Sequence, residues 1–209
     1  MRIIPSLTVT DLDDFRRYRE QEEMTLAELL RRLRREEGPS AAMLAGSALH
    51  SLLEKPPTEV LTSAEIDGHR FLFTLDAELP LLSMRELSGR KEYRVDGGTV
   101  ELRGRVDAID GVAAEDHKLS RTFDADRYVG KYQWRAYLSI FGAQKFTYNV
   151  FVGDFLGTDE ETGLQEWEIR DFHRLTLYRY PEMESDIVRE LGRYLDFANE
   201  HVLAPRRAA

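Results

Sequence analysis

Between Val100 and Ala108 the chain alternates: Val100, Leu102, Gly104, Val106 and Ala108 are apolar or small, while Glu101, Arg103, Arg105 and Asp107 are charged. A period of two marks a strand with one face buried. Asp110-Gly111 follows at once, a strong two-residue hairpin signal, and 112–119 reads as the returning strand. With a strand fragment over 93–95, before Asp96-Gly97-Gly98, this predicts a three-strand antiparallel meander. Upstream, 11–37 is rich in Glu and Arg and reads as a helix interrupted by Gly38-Pro39. Ser40 then caps a second helix, 41–54, which Pro56-Pro57 ends. The stretch 65–90 is ambiguous: Ile66-Asp67-Gly68-His69 could turn a small hairpin, and 79–87 could be a short helix. Downstream, 124–142 reads as helix, 146–152 as strand, 166–180 as an irregular strand, and 181–202 as the final helix. The order implies an α/β fold, a mixed central sheet with an antiparallel meander flanked by helices.

Composition narrows the class. At 209 residues, 42% hydrophobic and 32% charged, the chain is expected to be one globular domain, 1–209. It reads as a helical segment 1–40, a core 41–152, and a C-terminal strand and helix 153–209. No apolar run approaches the roughly 20 residues of a membrane span, and the N-terminal segment lacks a signal-peptide pattern. A cytoplasmic location without membrane partners is therefore expected. The absence of cysteine excludes disulfides, thiolate zinc sites and iron–sulfur clusters. The net charge of −9 speaks against coating a polyanion, but basic residues cluster at Arg31, Arg32, Arg34 and Arg35, and at Lys118, Arg121, Arg127, Lys131 and Arg135. The first cluster reads equally well as a solvated helix face.

The second hairpin carries the chemistry. With Asp110-Gly111 as the turn, Ile109 faces Val112, Asp107 lies opposite Ala114, and Arg105 lies opposite Asp116. Alternation then puts Asp107, Asp116 and Lys118 on one face. The two aspartates become diagonal neighbours with Cβ atoms about 7 Å apart, close enough to converge on one oxygen-liking cation. Such a cation removes the cost of two buried carboxylates, could polarise a phosphate, and lowers the pKa of a bound water. Lys118 could position that water or stabilise developing charge. His117 should face away from both.

These residues resemble the PD-(D/E)XK nuclease superfamily in its RecB-like branch. Gly104-Arg105-Val106-Asp107, Asp116-His117-Lys118 and Gln133-Trp134-Arg135-Ala136-Tyr137 are similar to its G-x-x-D, (D/E)-x-K and Q-x-x-x-Y motifs, in order. Gly46-Ser47-Ala48-Leu49-His50 is similar to its helix with a metal-binding histidine. The resemblance implies a restriction-endonuclease-like core, with His50, Asp107, Asp116 and the His117 carbonyl binding Mg²⁺ or Mn²⁺ and Lys118 as the catalytic lysine. It implies DNA contacts from Gln133 and Tyr137, one helical turn apart, with Arg121, Lys131 and Arg135 as further DNA-binding candidates. Glu54, a turn beyond His50, is placed to reach the site directly or through water. Trp134, Leu138 and Phe141 fall on a core stripe.

Within that branch, no G-x-x-x-x-G-K-[ST] loop is present, which sets aside a built-in helicase. The missing cysteines set aside the adaptation nucleases with iron–sulfur clusters. The resemblance therefore points to a standalone phage-type exonuclease acting on DNA ends in recombination or repair. Such proteins assemble into rings around DNA and work with single-strand annealing or recombination partners. The alternatives are a structure- or site-specific endonuclease on the same core, a non-catalytic DNA-binding relative, and a small-molecule metal hydrolase.

Overall fold

The computed structural model describes residues 6–22, 24–54, 61–75 and 84–203. The chain begins there with β1 (Ser6–Thr8), and Thr8 closes a capping box with Asp11 that starts α1 (Val9–Arg19). The helix expected over 11–37 is thus two helices. Gln21 breaks it with a φ of +58°, and Thr25 caps α2 (Leu26–Leu33) by accepting the Glu28 N–H. The Glu and Arg spacing alone does not reveal the break; the cap at Thr25 competes with continuation of the first helix. α3 (Ala41–Glu54) forms as expected, with Ser40 Oγ accepting the Met43 N–H at 3.3 Å. Pro56 and Pro57 lie outside the described residues.

β2 (Ser63–Ile66) and β3 (His69–Phe73) make the expected hairpin. Asp67 and Gly68 take φ values of +48° and +77°, the positive pair that a type I′ turn requires. The helix expected over 79–87 is corrected. Residues 79–83 lie outside the described residues, and from Met84 the chain is already β4 (Met84–Val95), paired along its length with β5 (Gly98–Asp110). Pairing with a long neighbour overrides the weak local preference of a short segment. β6 (Ala113–Ser120) completes the meander.

The single helix expected over 124–142 is also two: α4 (Ala125–Val129), capped by Asp124, and α5 (Gln133–Phe141), closed by Gly142 at a φ of +70°. β7 (Lys145–Thr158) and β8 (Gln165–Tyr178) follow, with register shifts after Val152 and after Phe155; the first leaves Arg170 of β8 outside the ladder, the irregularity expected within 166–180, and the second leaves out Leu156 of β7. α6 (Met183–His201) ends the described chain, and no described helix is long and apolar enough to cross a membrane.

All eight strands join one mixed sheet in the order β1-β5-β6-β7-β8-β3-β2, with β4 on the other edge of β5. β7 is buried without interruption from Phe146 to Gly153, because it has a strand on each edge and helices over both faces. Phe146, Tyr148, Val150 and Val152 pack with Leu12, Phe15, Leu138 and Leu191 from the helices of one face. Phe151, between them, packs with Ala45, Leu49 and Leu53 of α3 on the opposite face.

The two edges of β5 are paired differently. Its β4 edge is paired nearly end to end, but its other edge is shared: β1 takes Glu101–Arg103 in parallel, and β6 takes Ala108–Asp110. Residues 104–107 between them pair with neither. The sheet therefore opens a gap between β5 and β6, with α1 starting at its mouth directly after β1.

Candidate active site

The turn of the β5–β6 hairpin is Gly111-Val112, not Asp110-Gly111: Asp110 pairs with Ala113, Ile109 with Ala114 and Ala108 with Glu115. Gly111 takes the positive φ, +54°, at the first loop position, where glycine meets no steric cost. The expected register is thus displaced by two residues. A shift of two keeps every side chain on its face, which is why the grouping of Asp107, Asp116 and Lys118 survives the error. The two aspartates come level instead of diagonal, and there the ladder stops.

In a strand, the N–H and C=O of one residue point to the same edge. Those of His117 point into the gap, where β5 no longer answers them. The Asp107 carboxylate accepts the His117 N–H at 2.6 Å, and the His117 carbonyl meets His50 Nε2 of α3 at 2.6 Å. His50 Nδ1 stands 3.7 Å from Asp107 Oδ1. Lys118 Nζ lies 2.6 Å from Asp116 Oδ2, an ion pair off the direction of a hydrogen bond, so that Oδ2 accepts no directed bond. Asp116 Oδ1 accepts from Gln133 Nε2 at 3.2 Å. The structure thus brings His50, Asp107, Asp116, the His117 peptide and Lys118 together from α3, β5 and β6.

The charged groups act on one another. Burial, then the neighbouring Asp116 carboxylate, lifts the Asp107 carboxyl to about 6. Burial would lower the Lys118 ammonium, but the Asp116 and Asp107 carboxylates outweigh it and hold the lysine well above its ordinary range. Lys118 is therefore cationic at neutral pH.

Gln133 and Tyr137 stand beside Asp116, as expected of residues near the active site, but lie deep. They are only 7% and 5% exposed and offer little surface of their own. Gln133 Nε2 also reaches the Tyr137 hydroxyl at 3.4 Å, and the pair buttresses Asp116 from behind. Arg135 is likewise engaged elsewhere. Its guanidinium donates to the carbonyls of Val129 and Lys131 and to the Tyr180 hydroxyl, closing the end of α4. Lys131 sits over the Tyr128 ring at 4.4 Å, and burial followed by repulsion from Lys118 lowers it to about 8. Arg121 is exposed beyond the end of β6. The cluster Arg31, Arg32, Arg34 and Arg35 is paired to Glu37, Asp14, Glu36 and Asp11. Trp134 and Leu138 are core residues, as expected, with Phe141 packed against them.

Glu54 lines a cavity of about 10 Å³ with His50, Asp107, His117 and Glu86. Partial desolvation and the adjacent Glu86 carboxylate raise the Glu54 carboxyl above its ordinary value. Glu86 is the residue that the sequence reading missed. It takes a φ of +46°, uncommon for a side-chain-bearing residue, and drops out of the β4–β5 ladder between Arg85 and Leu87. No local signal marks it, because its place depends on the strand that replaces the expected helix.

Among the described residues, no three His, Asp or Glu side chains are gathered tightly enough to hold an ion by themselves. The donor set fits a hard divalent cation once the His117 carbonyl is counted. Two carboxylates, a carbonyl and an imidazole are donor types that suit Mg²⁺ or Mn²⁺; the water-sized cavity beside them is lined by His50, Asp107 and His117 together with Glu54 and Glu86, and not by Asp116.

No family model and no curated protein matches this sequence. Solved structures do. SSO0001 aligns over 99% of this chain and 81% of its own, at 17% identity and a TM-score of 0.53, and the two share a fold. LHK-Exo, an alkaline exonuclease from Laribacter hongkongensis, aligns over 93% of this chain and 88% of its own, at 14% identity and a TM-score of 0.45. Its complex with dAMP aligns at 13% identity and a TM-score of 0.47. The fold shared with SSO0001 is a mixed sheet flanked by helices.

Proposed function

We propose that this protein is a metal-dependent DNA nuclease, and within that class an exonuclease acting on DNA ends. The observation that carries the reading is the convergence of Asp107, Asp116, Lys118 and the His117 peptide in the gap between β5 and β6, with His50 reaching in from α3. His50, Asp107, Asp116 and the His117 carbonyl would hold Mg²⁺ or Mn²⁺. Bound there, the cation would supply Lewis acidity toward a phosphate oxygen and a water of lowered pKa.

The chain's own groups do the rest. Lys118, paired with Asp116 beside the proposed cation ligands, would position the attacking water or stabilise charge developing on the phosphate. Gln133 and Tyr137 hold the orientation of Asp116. The hydrogen bond between His50 Nε2 and the His117 carbonyl keeps these two groups close together, and both would serve as donors to the cation. Arg121 and Arg127 are exposed and would meet the DNA backbone. A ring-like homo-oligomer around DNA and a recombination partner belong to the same reading. A strict monomer in light scattering, with and without DNA, would remove the ring from it.

Digestion of linear and covalently closed DNA with Mg²⁺ or Mn²⁺, wild type beside Asp116→Ala, tests the proposal. Metal-dependent loss of linear DNA alone, abolished in the variant, is the expected result. Cut circles would replace the exonuclease by an endonuclease. No cleavage of either substrate would overturn the nuclease reading in favour of a DNA-binding relative.

A further inference from the structure

A row of polar side chains crosses three strands behind the site. His117 on β6 is in register with Asn149 on β7, and Asn149 with Arg174 on β8. The His117 ring lies near Phe151, on the face that α3 covers. Asn149 is fully buried, and Glu115 is 5% exposed. Arg174 Nε donates to Asn149 Oδ1 at 3.1 Å, and Arg174 Nη2 donates to Glu115 Oε1 at 3.1 Å. Asn149 Nδ2 donates to Glu115 Oε2 at 2.9 Å and faces His117 Nδ1 at 3.3 Å.

The chemistry of the row leaves one arrangement. A guanidinium only donates, so Arg174 requires the oxygen end of the Asn149 amide. The amino end then faces His117, whose Nδ1 is placed to accept from it. Replacing a buried ion pair by apolar groups is often neutral or stabilising, so stability alone is a weak reason for this network. Fixing one geometry is a better one.

We propose that Asn149, clamped by Arg174 and Glu115, is a positioning residue that anchors the His117 ring and so keeps the His117 peptide aimed at Asp107 and His50. The inference deepens the proposed function, because that peptide carries one of the donors assigned to the cation. It does not depend on catalysis.

Backbone hydrogen exchange on the whole chain, without metal, tests it directly. Arg174→Met, at a side chain that is 40% exposed, removes the clamp from its outer end; Asn149→Leu removes it from the centre. The expected result is a loss of protection at the His117 amide of about tenfold or more relative to the β7 amides, largely restored in Arg174→Lys. Mn²⁺ affinity by calorimetry should fall by roughly tenfold in the same variants. Unchanged protection at His117, or an equal loss across β6 and β7, overturns the inference. Should Asn149→Leu not fold, Arg174→Met carries the test. A wild type that binds no Mn²⁺ would sink the proposed cation site, while the exchange data would still judge the anchor.

Discussion

The Asp107 carboxylate accepts the backbone N–H of His117 at 2.6 Å, taking the place that a carbonyl of β5 would hold if the two strands stayed paired. The carbonyl of the same residue meets His50 Nε2. A side chain of one strand thus completes the backbone of the next, and the separation it spans is the space where the carboxylates converge.

That arrangement separates the roles of His50 and Lys118. His50→Ala should leave the chain folded, since the side chain is 28% exposed, but weaken Mn²⁺ binding by roughly tenfold or more. Lys118→Ala should bind Mn²⁺ at least as well as wild type, because Asp116 loses its counter-charge, and cleave roughly 10²–10³-fold more slowly. Calorimetry beside single-turnover cleavage distinguishes the two. Equal loss of binding in both variants would contradict the division.

Gly104 is needed for space. A Cβ there would stand 2.6 Å from Tyr137 Cε1 and 3.0 Å from Val9 Cγ2, inside the contact between β5 and α5. Gly104→Ala should therefore cost about 1–3 kcal/mol in urea unfolding. A variant as stable as wild type would mean that α5 can move off the sheet freely.

Stability should dip near neutral pH through Asp13 and Lys131. Burial lifts the Asp13 carboxyl from 3.8 to about 6, although it accepts the Tyr132 N–H. The folded state therefore binds that proton more tightly, and its contribution is lost as pH rises from about 4 to 6. Lys131 is lowered from 10.5 to about 8, so its contribution is present above 10.5 and lost as pH falls through about 8. Asp13→Asn should flatten the acid side of the dip, read from urea midpoints between pH 4 and 7. An unchanged profile would remove Asp13 as its source.

The two basic clusters should behave differently toward DNA. Arg34 and Arg35 are paired with Glu36 and Asp11, so Arg34→Ala should leave the salt dependence of DNA binding unchanged. Arg121 and Arg127 form no ion pair among the described residues, and replacing either by alanine should lower the slope of log affinity against log salt by about 1. Fluorescence anisotropy over a salt series reads both. A matching drop for Arg34→Ala would place DNA across α2 as well.

The sequence by itself determined the parts that depend on local pattern. Alternation through β5, the glycine at the following turn and the i, i+2 spacing of Asp116 and Lys118 place the acids and the lysine together, even with the turn misplaced by one residue, because side-chain direction repeats every two residues. The Q-x-x-x-Y spacing correctly places Gln133 and Tyr137 on one helix face, but not the depth at which that face is buried. Only the tertiary structure decided the rest. The break of 11–37 and of 124–142 into pairs of helices, and the change of 84–87 from helix to strand, follow from partners far away in the chain. So does the gap itself. β1 claims one part of β5 and β6 another, and no spacing within either strand records which residues are left between them. Glu86, Asn149 and Arg174 reach the site or its backing only through that assembled sheet, since cross-strand register is set by hydrogen-bonded neighbours and not by sequence distance.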